Sequence, residues 1–369
     1  MSLYIGLMSG TSLDGVDAVL AQIGGAGVQV QAHAHLPFPP TLRSELLSLN
    51  RSGADELHRA ALAANALVQV YAAAVRQVLA ESGTLTDRVH ALGAHGQTVR
   101  HRPGAFDGRG YTLQLNNGAL LAELTGIDVV CDFRSRDVAA GGQGAPLVPA
   151  FHAAAFGRPG QAVAVLNLGG ISNLSLIAAD GTVLGFDCGP ANALLDAWCE
   201  RHTGKPFDDG GTWGAGGRVL HPLLQSLLTE PYLSEQPPKS TGRDLFHLEW
   251  LGRHVAAHAA QADPRDVQST LAEFTACTVA DALRQHAPRS AELLVCGGGA
   301  FNRDLLRRLS AQLPGLPLRS TAERGLPPLQ VEAAAFAWLA HAFVERQPGN
   351  RVEVTGARGP RILGALYPR

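Results

Sequence analysis

The sequence predicts a two-domain α/β fold, and three observations lead to this prediction. The chain has 369 residues, 46% hydrophobic and 17% charged, which is ample for a sizeable core and more than a single domain usually needs. Short apolar segments bounded by glycine predict strands, and longer segments with helical periodicity predict helices. A motif of two strands joined by a glycine-rich turn occurs twice, near the N-terminus and at the centre. A change in composition at residues 141–144 marks the predicted boundary, so we expect domains at 1–140 with 347–369 and at 141–346.

Composition argues against several classes of partner and compartment. The net charge is −2 and no long basic run occurs, so we expect neither nucleic acid nor membrane as a partner. Five cysteines without a CxxC spacing argue against a disulfide scaffold or a zinc site and favour a reducing compartment. The N-terminus has no basic region followed by a long apolar run, and we expect no membrane-spanning segment of about 18 apolar residues. These features predict a soluble, cytoplasmic protein.

The centre of the chain, residues 162–195, holds the densest set of functional signals. It reads as three strands with a Gly-Gly turn at 169–170, and Gly-Pro at 189–190 then suits the start of a helix over 191–199. Asp187 therefore falls at a strand end, facing a helix N-terminus and beside the glycine turn. Backbone N–H groups of such a turn can approach a phosphate, and the carboxylate can accept a proton. The alternative is that Asp187 only caps the helix, and spacing leaves both interpretations open.

The N-terminal turn, residues 9–15, reads SGTSLDG and joins predicted strands at 3–8 and 16–23. Its N–H groups and hydroxyls can bind phosphate oxygens, while Asp14 and Asp17 can hold a hydrated magnesium ion near a nucleotide. An ordinary hairpin loop has the same composition. The second occurrence of the motif favours the phosphate site, because one phosphate clamp needs two sides.

Two further strands of the first domain end in polar side chains. One precedes His95 and Gln97, and the other precedes Arg134 and Arg136. Open α/β sheets bind ligands at such strand ends, and forked arginine side chains suit a substrate that carries a carboxylate. Only two lysines occur among 30 basic residues, so arginine supplies most candidates for contacts to anions. A structural histidine and a solvated loop are the alternatives.

In the second domain, a strand at 292–296 ends in Gly297, Gly298 and Gly299 before a helix at 303–312. Three glycines let a flat ring lie close to the backbone, and the helix N-terminus favours an anion. The dinucleotide fingerprint GxGxxG is not met, which argues against a nicotinamide dehydrogenase.

The remaining segments are predicted from periodicity and turn residues. They are a core helix at 53–82, a loop at 204–217 too rich in glycine to be helical, a loop at 237–246 whose Lys239 and Arg243 can close over a ligand, an amphipathic helix at 264–286, a helix at 333–345 opened by Glu332, and strands at 352–355 and 362–366.

Seven segments together resemble one known family. They are GLMSGTSLDGVDAVL, AHGQTVRHRP, NLGGISNLS, GFDCGPANALLDAW, KSTGRDLF, LLVCGGGAFN and VEAAAFAWLA, in this order. The chain is similar over residues 4–368 to the anhydro-N-acetylmuramic acid kinases of bacterial cell-wall recycling. The resemblance implies the hexokinase, Hsp70 and actin superfamily, in which two similar α/β domains of the ribonuclease H-like type form a cleft and close over ATP.

The resemblance also implies a reaction and its residues. One enzyme would hydrolyse the 1,6-anhydro bond of 1,6-anhydro-N-acetylmuramic acid and phosphorylate the released O6 with ATP, with Asp187 as the base that deprotonates water. The residues implied to bind ATP are Gly10, Thr11, Ser12, Leu13, Asp14, Gly15, Val16, Asp17, Gly169, Gly170, Gly297, Gly298 and Gly299, with Mg²⁺ at Asp14. The candidates for holding the sugar are His95, Gln97, Arg134, Arg136 and Glu332. A homodimer is expected from the same resemblance.

Two positions depart from the family pattern, because Cys188 stands where threonine is usual and Ala191 where glycine is usual. A thiol is a weaker hydrogen-bond donor than a hydroxyl, and a methyl group narrows the approach of a ligand. Two other functions stay open. One is a kinase of the same superfamily acting on an ordinary sugar or carboxylate, and the other is a nucleotide-dependent sensor or assembly protein. Asp187 together with the KSTGRD loop favours the enzyme.

Overall fold

A computed structural model describes residues 1–10, 12–25, 27–242 and 244–369. The strands are β1 Ser2–Met8, β2 Gly15–Gly24, β3 Gly27–Pro37, β4 Val89–Ala94, β5 Gln97–Pro103, β6 Gly110–Leu115, β7 Val129–Cys131, β8 Val163–Leu168, β9 Ile171–Ile177, β10 Val183–Pro190, β11 Glu292–Cys296, β12 Leu318–Ser320 and β13 Ala365–Tyr367. The α-helices are α1 Pro40–Ser48, α2 Glu56–Ser82, α3 Gly118–Thr125, α4 Ser135–Ala139, α5 Val148–Phe156, α6 Asn192–Thr203, α7 Thr212–Ala215, α8 His221–Leu228, α9 Leu248–His258, α10 Pro264–His286, α11 Arg303–Gln312, α12 Val331–Val344 and α13 Val352–Thr355. Thr11, which the sequence analysis assigned to phosphate binding, and Arg243 lie outside the described residues.

The chain forms two compact units. Unit 1 contains Met1–Ala155 and Gln330–Arg369, and unit 2 contains Phe156–Leu329. These limits differ from the predicted ranges of 1–140 with 347–369 and 141–346. The difference arises because α5 and α12 pack within unit 1, where the Phe151 and Trp338 rings lie 6.2 Å apart.

The sheet of unit 1 has the strand order β13-β7-β4-β1-β2-β3. Strand β1 runs antiparallel to β2, with Met8 opposite Asp17, and parallel to β4, with Leu7 opposite Ala94. The carboxyl ends of β1 and β4 therefore meet at one edge of the sheet, where the His95 N–H donates to the Leu7 carbonyl at 3.0 Å. This edge brings the turn after β1 next to His95.

The sheet of unit 2 has the strand order β10-β9-β8-β11-β12. Strand β8 runs antiparallel to β9 and parallel to β11, so the first, second and fourth strands have the same directions as β1, β2 and β4 in unit 1. Each sheet places its third, second, first, fourth and fifth strands in that order, and unit 1 adds β13 at one edge. The expectation of two similar α/β units is confirmed.

Helix α12 packs on the sheet of unit 1 at backbone contact distance. A Cβ atom added at Gly6 would lie 1.8 Å from the Ala333 carbonyl oxygen, and one added at Gly93 would lie 2.0 Å from the Phe336 carbonyl oxygen. Only glycine fits at either position, because any side chain would push the helix off the sheet. This close contact places Glu332, in the first turn of α12, beside the ends of β1 and β4.

Helix α2 corrects one expectation about apolar segments. By length and composition alone it could cross a membrane, with a mean hydropathy of 1.3 over its best window. Its Leu67, Val68, Tyr71 and Val75 are buried in the core of unit 1. This buried face is typical of the core helix that periodicity predicted.

Three local predictions are wrong. Residues 352–355 form helix α13 instead of a strand, because the Thr355 hydroxyl and amide hydrogen-bond to Asp137 and Arg351. The glycine-rich loop at 204–217 contains helix α7, whose first amides donate to the Asp208 carboxylate. Pro190 ends strand β10 instead of opening the next helix, because the chain stays paired with β9 to that residue.

Candidate active site

Asp187 lies near the end of β10 in unit 2, and neighbouring groups hold it on three sides. Its N–H donates to the Lys239 carbonyl at 3.3 Å, and its own carbonyl accepts from the Tyr232 hydroxyl at 2.9 Å. The Thr241 N–H donates to Asp187 Oδ2 at 3.0 Å. Burial raises the pKa of Asp187 to about 6, although the Thr241 N–H and the Lys239 ammonium oppose this rise. A carboxylate with this pKa is suited to accept a proton near neutral pH.

The capping alternative for Asp187 is not supported, because other groups complete the N-terminus of α6. The N–H groups of Ala191 and Ala193 donate to the Gly170 carbonyl, and that of Asn192 donates to the Gly169 carbonyl, all at 3.0 Å. The Gly169-Gly170 turn is therefore fixed against the helix through its carbonyls. It can still offer its N–H groups to a ligand, as the phosphate prediction requires.

The triple glycine after β11 divides into two kinds of position. Gly297 has φ +79° and an added Cβ would lie 2.3 Å from Asn167 Oδ1, while one at Gly299 would lie 2.6 Å from Leu168 Cβ. Both glycines are thus needed for packing against the end of β8. Gly298 is exposed, and a Cβ atom added there would lie 3.5 Å from Asn192 Nδ2, its nearest neighbour. Of the three, Gly298 is the one that presents open backbone to a ligand.

The turn after β1 in unit 1 is shaped by its own side chains. Ser12 Oγ and the Gly15 N–H both donate to Asp14 Oδ1, at 2.7 and 3.0 Å. Leu13 has φ +56°, which is unusual for a residue other than glycine and marks a constrained turn. An added Cβ at Gly15 would lie 2.3 Å from the Leu36 carbonyl oxygen, so this glycine serves packing against β3.

The two carboxylates considered for magnesium have different surroundings. Asp17 Oδ1 lies 3.0 Å from His33 Nε2 and 3.2 Å from His35 Nδ1, so β3 already supplies its partners. Asp14 is exposed, and no described residue donates to its Oδ2. In the part of the chain that the structure describes, no group of three or more His, Cys, Asp or Glu side chains could hold a metal. Asp14 alone fits a magnesium ion that keeps waters and phosphate oxygens as its other ligands.

His95 and Arg134 come together in unit 1, as the prediction required. The Arg134 guanidinium donates to His95 Nε2 from Nε at 3.2 Å and from Nη2 at 3.0 Å, and from Nη1 to the Gly144 carbonyl at 2.8 Å. His95 Nδ1 donates to the Ser9 carbonyl at 3.2 Å. Burial and the Arg134 charge lower the pKa of His95 to about 3. His95 is therefore a neutral imidazole that orients Arg134.

Gln97 and Ser9 line the same edge of the sheet. Gln97 Nε2 donates to the Gly10 carbonyl at 3.1 Å, while its buried Oε1 accepts from no described residue. Ser9 Oγ donates to the Gly96 carbonyl at 3.1 Å, which leaves it to accept from the Tyr71 hydroxyl at 2.9 Å. Tyr71 was not identified from the sequence, because its helical spacing marks only a core residue. Because no described residue donates to Gln97 Oε1, this oxygen can accept a hydrogen bond from a ligand.

Glu332 and Arg136 lie in different surroundings. Burial and the charges of Asp17 and Asp14 raise the pKa of Glu332, and Arg134 opposes them. Glu332 thus belongs to the same cluster of unit 1 as Arg134. Arg136 is exposed and lines a separate cavity of about 500 Å³ with Arg346 and Arg361. The structure groups Arg134, His95 and Glu332, and it places Arg136 apart from them.

Two α/β units with the same strand order, each with a glycine turn after its first strand, define a fold of the hexokinase, Hsp70 and actin class. Residues 2–369 match the family model for anhydro-N-acetylmuramic acid kinase, and the chain belongs to this family. It is 61% identical over 371 residues to the anhydro-N-acetylmuramic acid kinase of Variovorax paradoxus (strain S110), with 99% of each chain covered. It is 60% identical over 369 residues to that of Bordetella petrii (strain ATCC BAA-461 / DSM 12804 / CCUG 43448), with 99% of this chain and 96% of the relative covered. The resemblance found in the sequence is confirmed.

Proposed function

We propose that the chain is an ATP-dependent kinase that hydrolyses the 1,6-anhydro ring of 1,6-anhydro-N-acetylmuramic acid and phosphorylates O6. The products are N-acetylmuramic acid 6-phosphate and ADP, in peptidoglycan recycling. Membership of the family over residues 2–369 supports this activity. The observation that carries the mechanism is Asp187, a largely buried carboxylate with a pKa of about 6 and with Oδ1 free of hydrogen bonds from the described residues.

Asp187 is assigned as the general base for the ring-opening step. Its Oδ1 takes a proton from water while the water oxygen forms a bond to C1 of the sugar, and the C1–O6 bond breaks. O6 keeps the electron pair of that bond and attacks the γ-phosphorus, and the bond from the γ-phosphorus to the β,γ-bridging oxygen breaks to release ADP. The departing O6 needs no separate general acid, because it is phosphorylated instead of protonated.

Residues of both glycine turns are assigned to the phosphates, and Gly298 to the adenosine end of ATP. Gly10, Ser12, Gly15, Gly169 and Gly170 are the positions where backbone N–H groups and hydroxyls can meet phosphate oxygens. Thr11 and the other residues of the N-terminal turn, residues 9–15, are assigned to the same phosphates. Asp14 would hold a hydrated magnesium ion, whose charge would offset that developing on the phosphates.

The cluster in unit 1 is assigned to the sugar. Arg134 keeps one N–H on each of Nη1 and Nη2 after its contacts to His95 and Gly144, and these suit the lactyl carboxylate. Gln97 Oε1 can accept from a sugar hydroxyl or amide, and Glu332 offers a second acceptor. His95 acts through Arg134. Arg136 lines another cavity, so it is not placed with this cluster.

The two departures from the family pattern fit retained activity. Cys188 is 3% exposed and packs in the core of unit 2 with Leu174 and Phe186, so its side chain faces away from solvent. A threonine hydroxyl at this position would have needed a partner in the core, whereas a thiol packs as a small apolar group. The Ala191 methyl is 1% exposed, and its backbone N–H keeps its bond to the Gly170 carbonyl.

We also propose a cytoplasmic homodimer. Cys131, Cys188, Cys199 and Cys296 are buried and Cys277 is half-buried, which suits a reducing compartment. Light scattering of the purified protein would give twice the monomer mass of 38.7 kDa, and a single-chain mass would overturn the dimer.

The test of the function is ADP release with 1,6-anhydro-N-acetylmuramic acid in water enriched in oxygen-18, with early quenching and mass analysis of the sugar. We expect a 6-phosphate that carries one heavy oxygen at C1. Label-free product, or ADP release only with other sugars, would indicate an ordinary sugar kinase. No sugar-dependent ADP release would indicate a nucleotide-dependent sensor.

A further inference from the structure

Two residues that follow the 3-10 helix Pro231–Ser234, Lys239 and Thr241, form hydrogen bonds with Asp187 through their backbone. Lys239 accepts from the Asp187 N–H through its carbonyl at 3.3 Å, and Thr241 donates its N–H to Asp187 Oδ2 at 3.0 Å. The Tyr232 hydroxyl donates to the Asp187 carbonyl at 2.9 Å. The backbone of Asp187 and one of its carboxylate oxygens are thus fixed, and Oδ1 is the oxygen left for chemistry.

The Lys239 ammonium is itself held in place. Nζ donates to the Tyr232 carbonyl at 3.2 Å and to the Leu233 carbonyl at 3.0 Å, and it lies 4.8 Å from the centroid of the Tyr232 ring. The Phe186 ring is 6.0 Å away. Among the described residues, no carboxylate lies within 4.0 Å of this ammonium. Two carbonyls and an aromatic face therefore fix a cation whose charge is not cancelled by a direct ion pair.

The charges around Asp187 act in opposite directions. Burial raises its pKa, while the Thr241 N–H and the Lys239 ammonium lower it. Burial also lowers the pKa of Lys239, and Cys188, Glu235 and Asp187 oppose that change. The Tyr232 hydroxyl faces Asp187 as well. Burial, and after it the Lys239 ammonium, lower the pKa of His286, so His286 also lies near this cation. Lys239 is the one cation among these groups that favours an ionised Asp187.

We propose that Lys239 is a positioning residue for Asp187. Its fixed ammonium keeps the carboxylate ionised, and the segment from Lys239 to Thr241 turns Oδ1 toward the reacting water. Lys239 touches neither substrate nor reacting atoms, and it acts only through Asp187. The proposal rests on the proposed function, in which Asp187 is the base.

The chain offers a matched control, because Lys205 is the only other lysine. Lys205 is exposed in the same unit and does not contribute to the pKa of Asp187. The variants are Lys239→Met, Lys239→Arg and Lys205→Met, and each is first checked for a wild-type thermal transition. Where Lys239→Met does not stay folded, Lys239→Gln carries the same test.

The first measurement is the pH profile of kcat/KM for the sugar. We expect Lys239→Met to move the acidic limb to higher pH by about one pH unit, since loss of a nearby cation raises the pKa of a carboxylate. With a wild-type pKa of about 6, this shift should lower kcat/KM about tenfold at pH 5 but only about twofold at pH 7. Lys239→Arg should restore most of the limb, and Lys205→Met should match the wild type. An unmoved limb in a folded Lys239→Met protein would overturn the proposal.

The second measurement does not depend on turnover. The carboxyl resonance of Asp187 is followed through a pH titration in protein labelled with ¹³C at aspartate carboxyls and is assigned by its loss in Asp187→Asn. We expect its titration midpoint to rise in Lys239→Met, and an unchanged midpoint would overturn the proposal. If the wild type shows no sugar turnover, the proposed function fails while this titration still decides the role of Lys239.

Discussion

Asp187 is the residue to which the proposed mechanism assigns the uptake of a proton from water. Asp187→Asn should abolish sugar turnover and leave ATP affinity close to wild type, because the amide oxygen still accepts from the Thr241 N–H but cannot take a proton. Asp180→Asn, which removes an exposed carboxylate from the turn before β10, is the control. Turnover is measured by ADP release and ATP affinity by calorimetry. Undiminished turnover in Asp187→Asn would remove this residue from the mechanism.

The same variant should reveal what the buried base costs in stability. Burial raises the pKa of Asp187 from 3.8 to about 6, so its stability contribution is full below about pH 4 and is lost as the pH rises through about 6. The loss is about 3 kcal/mol at most. Asp187→Asn has no such loss, because asparagine does not titrate. The Tm of this variant relative to wild type should therefore increase between pH 4 and pH 7.5. Two calorimetric Tm curves that run parallel over this range would contradict the raised pKa.

The triple glycine separates packing from binding at single residues. Gly297→Ala should lower stability by at least about 2 kcal/mol, since its positive φ and its contact with Asn167 exclude a side chain. Gly298→Ala meets only ordinary contacts, so its Tm should stay within about 2 °C of wild type. Its affinity for a non-hydrolysable ATP analogue should fall several-fold if Gly298 meets the adenosine. An unchanged affinity would remove the triple glycine from the nucleotide site.

At the scale of elements, helix α12 connects the packing of unit 1 with its sugar cluster. Gly6→Ala would place a methyl group 1.8 Å from the Ala333 carbonyl oxygen, so the helix must move off β1. We expect a loss of about 2 to 4 kcal/mol in thermal unfolding and a higher KM for the sugar, because Glu332 moves with the helix. Gly252→Ala in α9 should instead gain about 1 kcal/mol, because no described atom outside the adjacent helix backbone lies within 4 Å of an added Cβ. A Gly6→Ala protein as stable as wild type would mean that this contact does not fix α12.

The elements best predicted from the sequence are those with local start and stop signals. Helix α10 begins at Pro264 behind the Asp263 side chain, which accepts from the Arg265 N–H, and α11 begins behind the Asn302 side chain. Both have the predicted bounds. Helix α13 could not be predicted, because Thr355 is held by Asp137, which is distant in sequence. The same limit applies to the site, since the contacts of Asp187 with Tyr232, Lys239 and Thr241 join segments that helices α6, α7 and α8 separate along the chain.

At the scale of the whole molecule, the two units differ in the number of chain segments that form them. Unit 2 is one continuous segment, and its own residues form hydrophobic clusters within it. Unit 1 is discontinuous, because Phe336, Ala337, Leu339 and Ala340 of α12 complete the cluster around Tyr4 on its sheet. The sequence predicts a discontinuous first domain, because it assigns residues 347–369 to residues 1–140, but it leaves α12 in the second domain, whereas the structure places α12 in unit 1.

This difference predicts how fragments behave. Residues 156–329 expressed alone should fold with a cooperative thermal transition, because a segment of this size with its own core meets the requirement for an independent domain. Residues 1–155 alone should not fold, since one face of their sheet lacks the apolar surface of α12. This fragment should either stay unfolded in solution or aggregate. Co-expression with residues 330–369 should restore their fold. Circular dichroism melts of the three samples check this, and a 1–155 fragment as cooperative as 156–329 would show that α12 is not required to complete unit 1.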